Sequence, residues 1–420
     1  MPKRFDALVV GAGPAGSIAA LVLARAGASV ALLDKASFPR DKACGDLVGP
    51  RGLQLLADLG VDPPPGVDVG DMVVLGPSGR RVRLPSAPGR TYPGHGRAVT
   101  RLVFDAALRE AAVEAGAVAC HARADTPLFD DGRLEGFRTG TGDELRSDVV
   151  VGADGATSRV AEVAGLVDPA KVLYGFAVRV YVDEPVELPV IALYEPAPWR
   201  ALGGYGWLFP GPDGVANAGL GVATKADRRA GAEAVRLLPD FLVHLARLGY
   251  RTSDDGAASA RRLGGWLKLG MVGTVPAKDR VLLVGDAAGL VNPLQGEGIA
   301  QAMASGRAAA EAVLAGPDGA AARYRAALVA AHLPYHRIAA AAHAAMVGRP
   351  RLVAAVGRVL TAPGLGPALA GGWAVFWNEL LDGAPPGSDR AVAAFATAVG
   401  RLVTAPSGVS RWFEEISRPA

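Results

Sequence analysis

The sequence predicts an α/β fold, with a Rossmann-like dinucleotide-binding domain, an inserted and mostly antiparallel β-sheet domain, and a C-terminal helical region. Three features predict it. A strand, a glycine-rich turn, a helix and a second strand open the chain between Phe5 and Lys35. Two later strands run into Gly/Asp turns, at Asp154–Gly155 and Gly285–Asp286. The segments between them show the period-two alternation of half-buried strands. The expected division is 1–70, 95–170 and 273–330 for the nucleotide domain, 71–94 and 171–272 for the inserted sheet, and 331–420 for the helical region.

Composition sets the outer limits. The 420 residues, 50% of them hydrophobic, are enough for two or three domains around a substantial core. A net charge of +3, from 44 basic and 41 acidic residues, leaves no basic stripe for a nucleic acid. Cys44 and Cys120 lie far apart, and the first strand begins too early to leave room for a secretory leader. A reducing, cytoplasmic setting is therefore expected, without a disulfide framework. No metal site is expected.

In the opening unit, Leu8–Val10 form a short apolar strand, and Gly11, Gly13 and Gly16 give G-x-G-x-x-G. An Ala/Leu-rich helix follows to about Ala26, and a second strand, Val30–Leu33, ends at Asp34. The glycines permit a tight turn and close approach of backbone to a pyrophosphate, while the helix start supplies free N–H groups. Asp34, 18 residues after Gly16, stands where a carboxylate accepts from a ribose hydroxyl. In the second unit, strand Asp148–Val151 feeds Asp154 and a helix-like stretch. In the third, strand Val281–Val284 feeds Asp286, a Pro/Gly-rich loop and a long helix that runs through Ala310. "NPLQGEGI" puts Gly296, Gly298 and Ile299 at that helix's start, where backbone N–H groups and the dipole favour an anion. Glu297, in the first turn, reads most simply as a partner of the same dipole.

The ordered trio resembles the FAD-binding set of the flavoprotein monooxygenase and geranylgeranyl reductase superfamily. That resemblance implies a p-hydroxybenzoate-hydroxylase-like fold and non-covalent FAD. It places Gly11, Gly13, Ala15, Gly16, Asp34, Lys35, Asp154 and Asp286 on the cofactor, with Asp286 at the ribityl–pyrophosphate region. Gly296, Gly298 and Ile299 then face the pyrimidine edge of the isoalloxazine, where a helix start stabilises a reduced, anionic flavin. Arg101, opening the helix "RLVFDAALREAAVEAG", corresponds by position to an FAD-contacting arginine, although a solvated helix-start charge fits the residue equally well. The strand after this helix is expected to end near Ala124 and to pass the adenine.

The inserted sheet carries the substrate side. "DMVVLGPSGRRVRLP" reads as a hairpin, and "GGYGWLFPGPDGVANAGLGVAT" as a strand–turn–strand. Residues two apart share a strand face, so Tyr205, Trp207 and Phe209 point together. Geometry alone allows either a core-facing triplet or the wall of an apolar pocket. "GYGWLFP" resembles the Y-x-W-x-F-P segment of the geranylgeranyl reductase family, which lines the isoprenoid channel. Flavin-dependent halogenases carry W-x-W-x-I-P instead, and Tyr205 and Phe209 depart from it. "KACGD", Lys42–Asp46, resembles the same family's K-x-C-G-(D/E) segment, whose cysteine lies near the flavin ring and the substrate double bond. Cys44 and Gly45 thus join the expected cofactor contacts, and Cys44, Tyr205 and Trp207 the expected catalytic set. A buried thiol acting as a small hydrophobe is the plainer reading of Cys44, and Cys120 is assigned that role.

The family resemblance implies an FAD-dependent reductase of C=C bonds in a prenylated quinone or geranylgeranyl lipid. The alternatives are an FAD monooxygenase acting on an aromatic or polyketide and a non-catalytic prenyl-binding protein. No separate nicotinamide-binding unit is visible, so the donor is either NADPH (or NADH) bound transiently or a reduced protein. The tail, with "GGWAVFWNELL" and "VSRWFEEI", offers amphipathic material for peripheral contact on the cytoplasmic face of a membrane, or for a cap over the substrate channel.

Overall fold

The structure, a computed structural model, describes residues 3–76, 79–86, 88, 92–192, 204–225, 229–252, 262–346 and 349–366. Strand Lys3–Val10 is exposed at its start and buried from Ala7 onward, as its sequence shifts from charged to apolar. It pairs in parallel with Glu144–Gly152 on one side and Val30–Asp34 on the other. Val281–Leu283 and Val118–His121 extend the parallel core outward. Near-continuous runs such as Ala7–Val10 and Val149–Val151 suit strands covered on both faces. Short antiparallel strands, Ala124–Asp130, Arg133–Thr139 and Ala277–Lys278, complete a sheet of eight.

Helix Pro14–Arg25 starts with proline in its first turn and packs against helices Ile299–Leu314 and Arg101–Glu114. Small residues set the closeness of the first contact: a Cβ on Gly306 would strike the Ala15 carbonyl. One strand boundary differs from expectation. The strand after Arg101–Glu114 ends at His121, not near Ala124, because its parallel partner ends at Asp34 and Ala122 N–H closes the ladder onto the Asp34 carbonyl. Ala124 opens the next strand instead.

The second sheet has seven strands in the order Leu263–Leu269, Leu173–Asp183, Val215–Lys225, Gly204–Pro210, Val190–Ala192, Met72–Leu75 and Arg81–Leu84. All its pairings are antiparallel except that of Val190–Ala192 with Met72–Leu75. One face is closed by helix Arg229–Arg247, which lies inside the 171–272 stretch expected to be sheet. Ala234, Leu237, Leu238, Phe241 and Leu245 recur at helical spacing and are fully buried against Val178, Val180, Leu208 and Leu220. The opposite face looks toward the loop Asp41–Asp46.

Two more helices, Ala320–Met346 and Pro350–Leu360, follow, so helical structure begins before residue 331. The aromatic segments of the tail, residues 371–381 and 409–416, lie outside the described residues. Among the described residues no helix is long and apolar enough to cross a membrane.

Candidate active site

Antiparallel pairing sets three rows of side chains across three strands. Ala177, Gly221 and Tyr205 form one row; Arg179, Gly219 and Trp207 the next; Tyr181, Asn217 and Phe209 the third. Tyr205, Trp207 and Phe209 therefore share a face, as alternation predicts. Successive ring centroids are 6.2 Å apart, the first pair inclined by 61° and the second by 30°. The Trp207 indole lies over Gly219, where a Cβ would run into the ring. Trp207 and Phe209 are 4% and 7% exposed, whereas Tyr205 is less buried and donates its hydroxyl to the Gln295 carbonyl in the "NPLQGEGI" loop.

Against these rows lies the loop that carries Cys44. A Cβ on Gly45 would stand 2.9 Å from the Phe209 ring, so only glycine allows this approach. The loop is pinned at four points. Arg179, 1% exposed, donates to both oxygens of Asp41 at 2.6 Å and stacks its guanidinium 4.1 Å from the Tyr181 ring centroid. Lys42 Nζ lies 3.6 Å from Asp286 Oδ2. Asp46, 3% exposed and left-handed at φ 61°, accepts from the Tyr181 hydroxyl (2.5 Å) and from Asn217 Nδ2 (2.8 Å) on Oδ2. Asn217 also donates to the Cys44 carbonyl (2.8 Å) and accepts from Trp207 Nε1 (2.9 Å).

The Cys44 sulfur is half-buried and faces the Arg101 guanidinium and the Asp46 backbone N–H. Burial pushes the thiol up from its ordinary value, the Asp46 carboxylate adds to this, and Arg101 works against it. Arg101 is itself buried and bonded through Nε and Nη2 to Asp105 at 2.6 and 2.7 Å. Its burial opposes the charge, but the Asp105 carboxylate outweighs that and holds it protonated. A flavin contact from Arg101 would thus come from a guanidinium already anchored on its own helix.

The expected nucleotide residues gather at one edge of the first sheet. Gly11 has φ +105°, and a Cβ there would collide with the Ala153 carbonyl; a Cβ on Gly16 would collide with the Gly11 carbonyl. No side chain caps helix Pro14–Arg25, so its first N–H groups are open for a pyrophosphate. Arg40 Nη2 lies 3.5 Å from the Cβ position of Gly13, a cation over the turn that sequence inspection missed. Gln295 Nε2 is buried with no hydrogen-bond partner, a donor left over for a bound group. These features fit FAD.

The acids have local work too. Asp34 accepts from Ala12 N–H (2.7 Å) and Ala36 N–H (2.8 Å), holding the turn beside the exposed Lys35. Asp154 accepts from Ser158 Oγ and from Arg159 and Val160 N–H, capping helix Arg159–Val163. Gly298 forms the N-cap of helix Ile299–Leu314, and Gly296 lies beside the Tyr205 hydroxyl. Glu297 lies one residue before that N-cap, not in the first turn as expected, and accepts from Ala300 N–H and Gln301 Nε2 at the helix start. Lys268, 1% exposed, sits in the fields of Asp154 and Asp286, and burial lowers it to about 8. Lys268, Arg179, Tyr181 and Asn217 escaped notice in the sequence. The available signal was a polar residue at inward strand positions, Asn217 in "GVANAGLGV" and Lys268 in "GGWLKL". Cys120 pairs opposite Leu33, well outside this cluster.

Residues 4–187 match the FAD binding domain family. The menaquinone reductase of Mycolicibacterium smegmatis is 36% identical over 326 residues, covering 75% of this chain and 78% of that protein. The digeranylgeranylglycerophospholipid reductase 2 of Methanopyrus kandleri is 34% identical over 318 residues, 73% of this chain and 76% of its own. The geranylgeranyl diphosphate reductase of Rhodobacter capsulatus is 34% identical over 328 residues, 74% and 75% of the two chains. Among solved structures, a geranylgeranyl bacteriochlorophyll reductase-like protein from Thermoplasma acidophilum superposes with a TM-score of 0.69 at 20% identity, covering 99% of this chain and all of the other. The flavin-dependent brominase Bmp2 reaches 0.67 at 20% identity, covering 95% and 99%, so the fold alone does not separate reductase from halogenase.

Proposed function

This chain belongs to the geranylgeranyl reductase family of FAD-dependent oxidoreductases, and we propose that it saturates isolated C=C bonds in the isoprenoid chain of a prenylated quinone or geranylgeranyl lipid. One observation carries the reading: the Cys44 segment and the aromatic strand are a single packed unit, with Gly45 against Phe209 and Asn217 bonded to both Trp207 and the Cys44 carbonyl. Bound FAD, once reduced, supplies the hydride for one alkene carbon. The second carbon takes a proton, so two C–H bonds form as the π bond is lost. An unactivated alkene accepts hydride poorly, and proton transfer therefore leads. The Cys44 thiol, kept protonated at neutral pH by its burial, is the donor. Arg101 and the Asp46 N–H then hold the thiolate. The faces of Tyr205 and Trp207 stabilise positive charge developing on carbon.

A substrate of this class arrives from a bilayer. Helix Pro350–Leu360 presents exposed Leu352, Val356, Val359 and Leu360 beside Arg351 and Arg358, and this supports peripheral contact with the cytoplasmic face of a membrane. The test is mass spectrometry of quinones and lipids from cells with and without the protein. Loss of the protein should leave one species heavier in unsaturation, two mass units lighter per unreduced bond. Identical profiles in both strains count against the reading.

A further inference from the structure

We propose that Asp46 is a positioning residue for the reduction, holding Cys44 and Trp207 in one frame and setting the charge that the thiol meets. This rests on Cys44 and Trp207 acting as stated above. Four strands and helices contribute to the frame. The Asp46 carboxylate takes the Tyr181 hydroxyl and the Asn217 amide on one oxygen and the Arg101 N–H on the other, at 3.3 Å. Its own carbonyl accepts from Val99 N–H at 2.8 Å. All of these groups donate to Asp46, so the carboxylate serves as an ionised acceptor. Burial acts the other way and pushes it up, against the pull of Tyr181 and Asn217 and of the Arg179 and Arg101 charges. Asp46 also lines a cavity of about 210 Å³ with Thr100, Tyr181, Pro212, Val215 and Asn217, room for several waters.

Asn217 turns this anchor into geometry. Its Nδ2 bridges Asp46 and the Cys44 carbonyl while its Oδ1 receives the Trp207 indole N–H. Deleting the Asp46 charge frees the Asn217 amide to turn, and thiol-bearing peptide and indole then lose their common reference. The charge matters separately. The groups facing the sulfur are Arg101, Asp46 and Tyr205, with Glu297 beyond Tyr205, and Arg40 and Arg101 share Asp105. Asp46 is the anion that offsets Arg101 at the thiol. Left-handed backbone favours Asp and Asn alike, so Asp46→Asn keeps the backbone conformation while removing the charge and replacing one acceptor oxygen with a donor NH2.

The experiment uses FAD-loaded protein in a Cys120→Ala background and follows Cys44 alkylation by iodoacetamide against pH, read by peptide mass spectrometry. Asp46→Asn should speed alkylation at pH 7 about tenfold and move the profile to lower pH, since the carboxylate that opposes Arg101 at the sulfur is gone. In turnover with a prenylated quinone, Asp46→Asn should lose about tenfold in kcat with little change in KM. A profile that stays put or moves to higher pH in Asp46→Asn overturns the proposal. Should that variant lose FAD, Asn217→Ser decides: slowed turnover with an unshifted alkylation profile supports the frame, and full turnover refutes it. The alkylation profile needs no substrate, so failure of the isoprenoid assignment would show in turnover alone.

Discussion

Cys44 is the residue on which the proposed chemistry turns. Its sulfur feels the Arg101 cation and the buried Asp46 carboxylate with opposite effect, and burial decides in favour of the neutral thiol. A neutral thiol can give a proton, and the adjacent Arg101 stabilises what remains. Cys44→Ala should therefore fold and hold FAD, lose about a hundredfold or more in kcat, and change KM little, as measured by steady-state turnover. Cys44→Ser keeps the shape with a far weaker acid, so it should stay impaired; near-normal turnover would make the residue a positioning group. Cys120→Ala should leave the rate unchanged, because that residue sits on a strand opposite Leu33 and far from the loop. Cys44 and Asp46 both stand in the recognisable K-x-C-G-(D/E) segment, but the partners of Asp46 were not legible. Its partners Tyr181 and Asn217 lie 135 and 171 positions away, and no local pattern announces a hydrogen bond of that span.

At the scale of elements, the site depends on a strand pair that alternates large with small. Tyr205 and Trp207 stand across from Gly221 and Gly219, and the Trp207 indole lies over the Gly219 backbone. A Cβ at Gly219 would meet both the indole and the Val178 carbonyl, 2.5 Å away, and the Val178 side is backbone that cannot give. Gly219→Ala should cost about 1–3 kcal/mol by displacing Trp207, seen as a lower Tm and a lower kcat/KM. Gly221→Ala is the contrast. Its Cβ would stand 3.7 Å from Trp207 in ordinary contact, and its Tm should barely move. Period-two alternation made the shared aromatic face readable in advance, because it needs only one strand. The end of strand Val118–His121 was not readable, because the length of its partner sets it. Helix Arg229–Arg247 shows its apolar stripe plainly, yet it sits between strands in a stretch whose other segments alternate.

At the scale of the molecule, two sheets meet at one loop. The eight-stranded sheet brings the glycine turn, Asp286 and the start of helix Ile299–Leu314 to one edge, and the seven-stranded sheet presents the aromatic rows. Asp41–Asp46 is tied to both, through Arg179 and Tyr181 on the second sheet and Asp286 on the first. Cofactor, thiol and aromatic wall are thus held by one segment, which is what a reaction needing hydride and proton on adjacent carbons requires. The fold itself is shared with a brominase, so only the chemistry performed distinguishes the reading. The most direct measurement is anaerobic incubation of the photoreduced, FAD-loaded protein with a prenylated quinone and with a geranylgeranyl lipid. Flavin reoxidation matched by a product two hydrogens heavier is the predicted result. A flavin that stays reduced without oxygen, together with an oxygen-containing product formed only in air, would contradict the assignment and make the protein a monooxygenase.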